Sequence, residues 1–284
     1  MCGFCDARLS RRGLLAGLAA VSLTGCSENA ATGRRQLVLV SDSQLAEMAD
    51  APWAEIVAQA PPVRDPDVQA RLARIGRPLT LAANRPDLKW SFTVLESPEL
   101  NAFVLPNGRV GFFKGLLDLA RSDDEVASVL GHEIGHILAR HPAERVSHQL
   151  AAQAGVTLAQ LVMLSGENAR FADEVGAALG LGAQFGVILP YARRQELEAD
   201  RIGVDLMRKA GMDPAAAVTF WERMARAARS QGRPPEVLST HPADGRRIEA
   251  LEAAVANGLS RTASRERLVA NVSPRAASSK ALIS

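Results

Sequence analysis

Two histidines four residues apart, in His132-Glu133-Ile134-Gly135-His136, are the residues of this chain best placed to do chemistry. On a helix that turns about 100° per residue such a pair lies about 40° apart and one turn along, so both imidazoles can address one metal ion. Glu133 falls on the flank beside them, placed to take a proton from an activated water rather than to bind the ion. The bland alternative is a surface helix that happens to carry two histidines. Val129, Leu130, Ile134, Ile137 and Leu138 argue against it, because half-buried imidazoles need a shared partner.

A catalytic zinc takes three protein ligands and a water, so a third ligand has to be found. His141 would lie about 140° round the same helix from His136, facing away. A third histidine six residues on is excluded, because Pro142 stands there. His148 lies beyond that proline and reads as a surface residue, and Glu144 is too far along the axis. The run Arg193-Arg194-Gln195-Glu196-Leu197-Glu198-Ala199-Asp200 fits better. Glu196 and Asp200 share one helix face. One carboxylate can bind the metal while the other accepts the free N–H of a ligating imidazole, with Glu196 the preferred ligand. Glu198, about 200° from Glu196, should point elsewhere. Alone, this run would read as a solvated acidic face; a two-histidine helix upstream that lacks a ligand reverses that reading.

The elements that carry these groups are legible around them. Ser122-Asp123-Asp124-Glu125 is a capping box that opens the histidine helix, which should run through Arg140 and stop near His141-Pro142. Upstream, 42–60 and 66–83 have helical spacing, split at Pro61-Pro62. Residues 89–96 alternate like a strand, and 101–105 and 109–113 flank the turn Pro106-Asn107-Gly108, giving a small sheet with a hairpin. Asn101, Ala102 and Phe103 could form an edge strand that pairs with an extended substrate, or simply one arm of a core hairpin. Two Ala/Gly/Leu-rich segments, about 149–165 and 174–189, read as a buried helical hairpin rather than membrane spans. Helices follow at about 192–210 and 214–229, separated by Gly211-Met212-Asp213-Pro214, and a last one at about 242–257. The fold class is α+β, predominantly helical, and the body is placed at 42–260.

The formal net charge of +2, with basic residues scattered, excludes the concentrated basic face of a nucleic-acid binder. Cys2, Cys5 and Cys26 are the only thiols, so the body has no disulfide framework, and Cys2-x-x-Cys5 has no second pair to complete a four-ligand site. Arg8, Arg11 and Arg12, an apolar stretch at 14–23 and then Leu23-Thr24-Gly25-Cys26 have the layout of an export signal. Residues 1–25 are read as a lipoprotein signal peptide, 26–41 as a polar tether with lipid on Cys26, and 261–284 as a disordered tail.

The His132–His136 motif, Glu196-x-x-Ala199-Asp200 and Ser239-Thr240-His241-Pro242 together resemble the M48 family of zinc metallopeptidases (Ste24/Oma1-like). Asn101-Ala102-Phe103, Pro106-Asn107-Gly108 and Gly33-Arg34-Arg35-Gln36-Leu37 are similar to its bacterial lipoprotein and periplasmic members. The resemblance spans roughly 33–255. It implies a zincin (gluzincin) fold, the ligand helices set against a small mixed β-sheet, one Zn2+ per chain, and proteolysis of unfolded or misassembled envelope proteins. By position it makes His132, His136 and Glu196 zinc ligands, Glu133 the general base and acid, and Asp200 a partner of a ligand. It places His241 near the metal, to stabilise the transition state or gate the site, although His241-Pro242 also reads as a helix-start cap. Arg247 matches a family arginine. The start resembles a bacterial lipobox behind a Sec or twin-arginine signal; Ser27 after the cysteine implies the periplasmic side of the outer membrane rather than the inner. Two other readings compete: an envelope chaperone or assembly factor with a latent zinc site plugged by His241, and a structural zinc site. The latter fits poorly without thiolates.

Overall fold

Residues 26–164, 189–230 and 247–258 are described by the computed structural model. In chain order their elements are β1 (Cys26–Glu28), β2 (Arg35–Leu37), α1 (Asp42–Glu47), α2 (Asp50–Gln59), α3 (Pro66–Ala83), β3 (Ser91–Leu95), β4 (Ala102–Val104), β5 (Arg109–Phe113), α4 (Lys114–Leu119), α5 (Asp123–Leu138), α6 (His141–Leu164), α7 (Leu189–Lys209) and α8 (Ala215–Ser230), with α9 at 247–258. The signal segment 1–25, His241, the tail 261–284 and most of the second Ala/Gly/Leu-rich segment lie outside the described residues.

Helix α5 is the axis of the molecule. Ser122 caps it by accepting from the Glu125 backbone N–H at 3.2 Å, and three acidic residues occupy the positive end of its dipole. Only half of the expected capping box forms: Glu125 accepts from the Arg121 backbone N–H at 2.7 Å and pairs with Arg223 of α8. The helix also ends sooner than its pattern suggests. Ala139 closes it, Arg140 adopts a left-handed conformation (φ 55°), and a fresh helix begins at His141, with Pro142 in a first turn where its missing N–H costs nothing. The first Ala/Gly/Leu-rich segment is therefore the continuation of α6 rather than a separate helix, and no helix among the described residues is long and apolar enough to cross a membrane.

The sheet is mixed, in the order β3-β5-β4: β3 runs parallel to β5 and β4 antiparallel to it. Gly108, at φ +88°, makes the predicted hairpin turn. Val94, Val110 and Phe112 turn into a core with Leu72, Ile75 and Leu79 of α3, Val126, Leu130 and Ile134 of α5, and Phe220, Trp221 and Met224 of α8.

Helices α5 and α7 touch backbone to backbone. A Cβ on Gly203 would stand 2.9 Å from the Gly131 carbonyl carbon and the His132 nitrogen, and one on Gly135 2.7 Å from the Ala199 carbonyl oxygen. Small residues at 131, 135, 199 and 203 thus set the interhelical distance, and with it the separation of the groups beside them.

Residues 26–41, expected to be a tether, begin with an antiparallel β1–β2 hairpin pairing Cys26 with Leu37. The hairpin docks on the C-terminal end of α5: Asn29 Nδ2 donates to the Leu138 carbonyl at 3.2 Å and Gln36 Nε2 to that of Ala139 at 2.7 Å. These carbonyls have no partner within α5, which is why polar side chains from a distant segment settle there.

Candidate metal centre

The helix crossing brings together the three groups singled out by their spacing. His132 Nε2 lies 3.1 Å from His136 Nε2 and 3.2 Å from Glu196 Oε2, and His136 Nε2 lies 3.5 Å from Glu196 Oε1. All three residues are at most 6% exposed, and among the described residues they form the one group of histidine, cysteine or acidic side chains that could hold a metal ion. Two ligands on a tetrahedral zinc with bonds of about 2.0–2.1 Å stand about 3.3 Å apart. The observed spacings bracket that value, and two imidazoles with a carboxylate are a donor set that suits zinc. The residues fit the ion.

On one side of the cluster, Asp200 Oδ1 lies 2.7 Å from His132 Nδ1. Arg247, on α9, donates to both oxygens of Asp200, from Nε at 2.6 Å and Nη2 at 2.8 Å, and its Nη1 reaches Glu196 Oε2 at 3.3 Å. The guanidinium stacks 3.8 Å over the ring of Trp221, which also meets His132 edge-on, a cation–π contact in a dry setting. Burial pushes Asp200 up, but the charge and hydrogen bonds of Arg247 outweigh it and hold the carboxyl below its usual range. Burial and Arg247 pull His132 down, yet the carboxylates of Asp200 and Glu196 lift it to about 9.

The other side differs from expectation. His141 does not face away; the reversal at Arg140 turns it back, fully buried, with Nδ1 2.8 Å from His136 Nδ1 and Nε2 3.1 Å from Glu198 Oε2. Glu198 does point away from Glu196, but into this layer. Arg34 forks between two carboxylates, donating to Glu198 at 2.7 and 3.0 Å and to Glu144 at 2.6 and 2.8 Å. Gln36 and Gln195 also donate to Glu144. Burial raises the Glu198 carboxyl, but hydrogen bonds from His141 and Arg34 win and bring it down to about 2. Burial likewise opposes, and Arg34 reverses, the shift of Glu144, which ends below its usual range. His148 is half-buried rather than on the surface, 3.9 Å from Glu144. Arg145 of α6 donates to Gln195 at 2.7 Å and approaches Glu196 at 3.4 Å.

Glu133 is buried beside His132; burial pulls Arg247 down, but Asp200 foremost, with Glu196 and Glu133, raises it above its usual range. Asn101, Ala102 and Phe103 lie at and just before β4, an edge of the sheet. Asn101 and Leu105 bond β5 through their backbones; by the alternation of an antiparallel ladder, Ala102 and Val104 turn theirs to the outer edge, where the Asn101 side chain already takes the Ala102 N–H. Sequence reasoning missed His141, Glu198, Glu144 and Arg34. The signals available were His141-Pro142, a helix start in its own right, and the arginine of Gly33-Arg34-Arg35-Gln36.

Comparison with known proteins decides the family. The model of peptidase family M48 matches residues 66–255. The chain belongs to that family. Within M48, it is 38% identical over 182 residues to the mitochondrial metalloendopeptidase OMA1 of Schizosaccharomyces pombe, covering 64% of this chain and 51% of that one. It is 38% identical over 182 residues to the mitochondrial metalloendopeptidase OMA1 of Bos taurus, covering 61% and 34%. To the beta-barrel assembly-enhancing protease of Escherichia coli K12 it is 30% identical over 207 residues, covering 72% and 42%. The chain thus spans about half or less of the length of these curated relatives. The hairpin of β1 and β2 precedes the span matched by the family model.

Proposed function

We propose that this M48 chain is a zinc-dependent endopeptidase with one Zn2+ held by His132, His136 and Glu196. The observation that carries the reading is the buried convergence of these three ligand groups, 3.1–3.5 Å apart, across helices in backbone contact. Zinc in such a site supplies Lewis acidity, polarising a peptide carbonyl and bringing the pKa of a water to about 7. Glu133 takes the water proton on its carboxylate and returns it to the leaving amide nitrogen. Asp200 accepts the Nδ1–H of His132 and so turns Nε2 towards the ligand cluster, while Arg247 keeps Asp200 ionised. An extended substrate adds along β4, where the Ala102 carbonyl and both backbone groups of Val104 face outwards. His241 serves transition-state stabilisation or gating.

The substrates are unfolded or misassembled envelope proteins, and the enzyme works on the periplasmic side of the envelope, held by lipid on Cys26, at the outer membrane rather than the inner. The motif resemblance and the name of the Escherichia coli relative support that reading. Its test is metal analysis of the purified chain with casein cleavage, with and without chelator. Zinc near one per chain, cleavage that stops with chelator, and a Glu133→Gln variant that keeps zinc but loses at least about 10²-fold in turnover are expected. Unchanged turnover in Glu133→Gln refutes the base; full support of envelope integrity by that variant in cells makes the protein a chaperone instead. Labelled palmitate that still enters a Cys26→Ser chain removes the anchor assignment.

A further inference from the structure

We infer that Arg34, Glu198 and His141 are positioning residues, a brace from the N-terminal hairpin that fixes the ring of His136 in the tautomer required of a metal ligand. The inference rests on the metal-centre reading above and extends it to a segment outside the matched family span.

His136 presents Nε2 to His132 and Glu196. To offer a lone pair from Nε2 the neutral ring must carry its proton on Nδ1, and Nδ1 sits 2.8 Å from Nδ1 of His141. His141 must then accept at Nδ1 and carry its own proton on Nε2, which lies 3.1 Å from Glu198 Oε2. Every hydrogen has one consistent place: Glu198 accepts from His141, and His141 accepts from His136. His132 reaches the same tautomer through a single carboxylate, Asp200 at 2.7 Å. The two ligand histidines are thus anchored alike, one directly and one through an intervening imidazole.

The far end is equally determined. Glu198 is held by Nε and Nη2 of Arg34, whose other donors clamp Glu144. One guanidinium between two carboxylates leaves a net negative cluster, which favours an N–H donor from His141. Arg34 itself is fixed because Asn29 and Gln36, on either side of it in the hairpin, bind the last carbonyls of α5, just past His136. A buried ion pair that merely welds the hairpin to the body would not need this line of donors, nor its end on the Nδ1 of a ligand histidine. The device is the imidazole–carboxylate orientation found behind many metal ligands, lengthened by one ring and supplied from more than a hundred residues away in sequence.

The test uses the full-length chain purified in detergent, with cobalt(II) as a visible probe of coordination and zinc affinity from chelator competition. His141→Phe keeps a ring but removes the relay; His141→Gln restores an acceptor; Arg34→Gln and Glu198→Gln cut the far end. Arg223→Gln, at the opposite end of α5, is the control for stability alone. We expect His141→Phe and Arg34→Gln to bind metal about 10- to 100-fold more weakly, with an altered cobalt spectrum. His141→Gln should recover most of the loss, and Arg223→Gln should lower the melting temperature with the spectrum unchanged. Folded Arg34→Gln and Glu198→Gln proteins that match wild type in affinity and spectrum overturn the inference, and they decide it even if His141→Phe fails to fold. A wild-type chain with no saturable cobalt band that His132→Ala abolishes would instead sink the metal-centre reading.

Discussion

Alanine at Gly203 tests whether the helix crossing sets the metal site. The new Cβ would stand 2.9 Å from the Gly131 carbonyl carbon and the His132 nitrogen, and neither is the end of a flexible side chain. Ordinary contact requires α7 to withdraw by about half an ångström, in an interior packed too densely to absorb that freely. Such overpacking costs about 1–3 kcal/mol, while glycine to alanine in a helix returns about 0.8–1 kcal/mol, leaving a net loss of about 1 kcal/mol. Gly155, in α6, provides the contrast: a Cβ there meets nothing within 4 Å, so Gly155→Ala should gain about 0.5–1 kcal/mol. The two variants should therefore differ by about 2 kcal/mol, or about 4–8 °C in melting temperature for a chain of this size. Function should separate further. A 1 Å misplacement can cost about 10²-fold, so Gly203→Ala should lose about tenfold in casein turnover and also bind zinc less tightly, whereas Gly155→Ala should match wild type in both. Thermal unfolding and chelator competition on the two purified variants provide the readings. If Gly203→Ala is as stable as Gly155→Ala and binds zinc like wild type, the close approach of α5 and α7 does not set the ligand geometry.

Other expectations follow from the same contacts. Asp200→Asn leaves Arg247 buried without its main counter-charge; zinc affinity should fall about 10- to 100-fold and stability by about 3–5 kcal/mol, read by chelator competition and urea unfolding. Glu198 ionises at about 2 in the folded protein against an ordinary 4.5. Its contribution is therefore complete above about 4.5 and disappears as the pH falls towards 2, so urea unfolding between about pH 5 and pH 2.5 should show a decline that is shallower in Glu198→Gln. Removing metal from the purified protein should lower its melting temperature, and adding zinc should restore it in a concentration-dependent way; a melting temperature indifferent to zinc would contradict a folded-state site.

The legible part of this protein is the part written in local periodicity. Ser122 before an acidic turn marked the start of α5, the four-residue histidine spacing placed two rings on one face, and Pro106-Asn107-Gly108 marked the hairpin. Glu196 and Asp200 came from the same rule applied to a second helix. The sites where reasoning failed are those where the backbone leaves the period or where partners are remote. Periodicity carried through Arg140 puts His141 on the wrong side, because the left-handed φ of 55° at Arg140 resets the helical phase. The helical period turns Glu198 in the right direction, away from Glu196, but nothing local says that a second layer waits there. Arg34 is separated from Glu198 by 164 residues, and no spacing rule reaches that far. The glycines at 131, 135 and 203 were visible, yet their meaning is a backbone contact that exists only once both helices are in place.

The docked hairpin also has a spatial consequence. Its first strand opens at Cys26, the residue proposed to carry lipid, so an acyl anchor there would leave the catalytic body almost no slack. Such an enzyme would not sweep the aqueous space on a long leash. It would work flush with the bilayer, on polypeptides that are themselves delivered to, or stalled at, that surface.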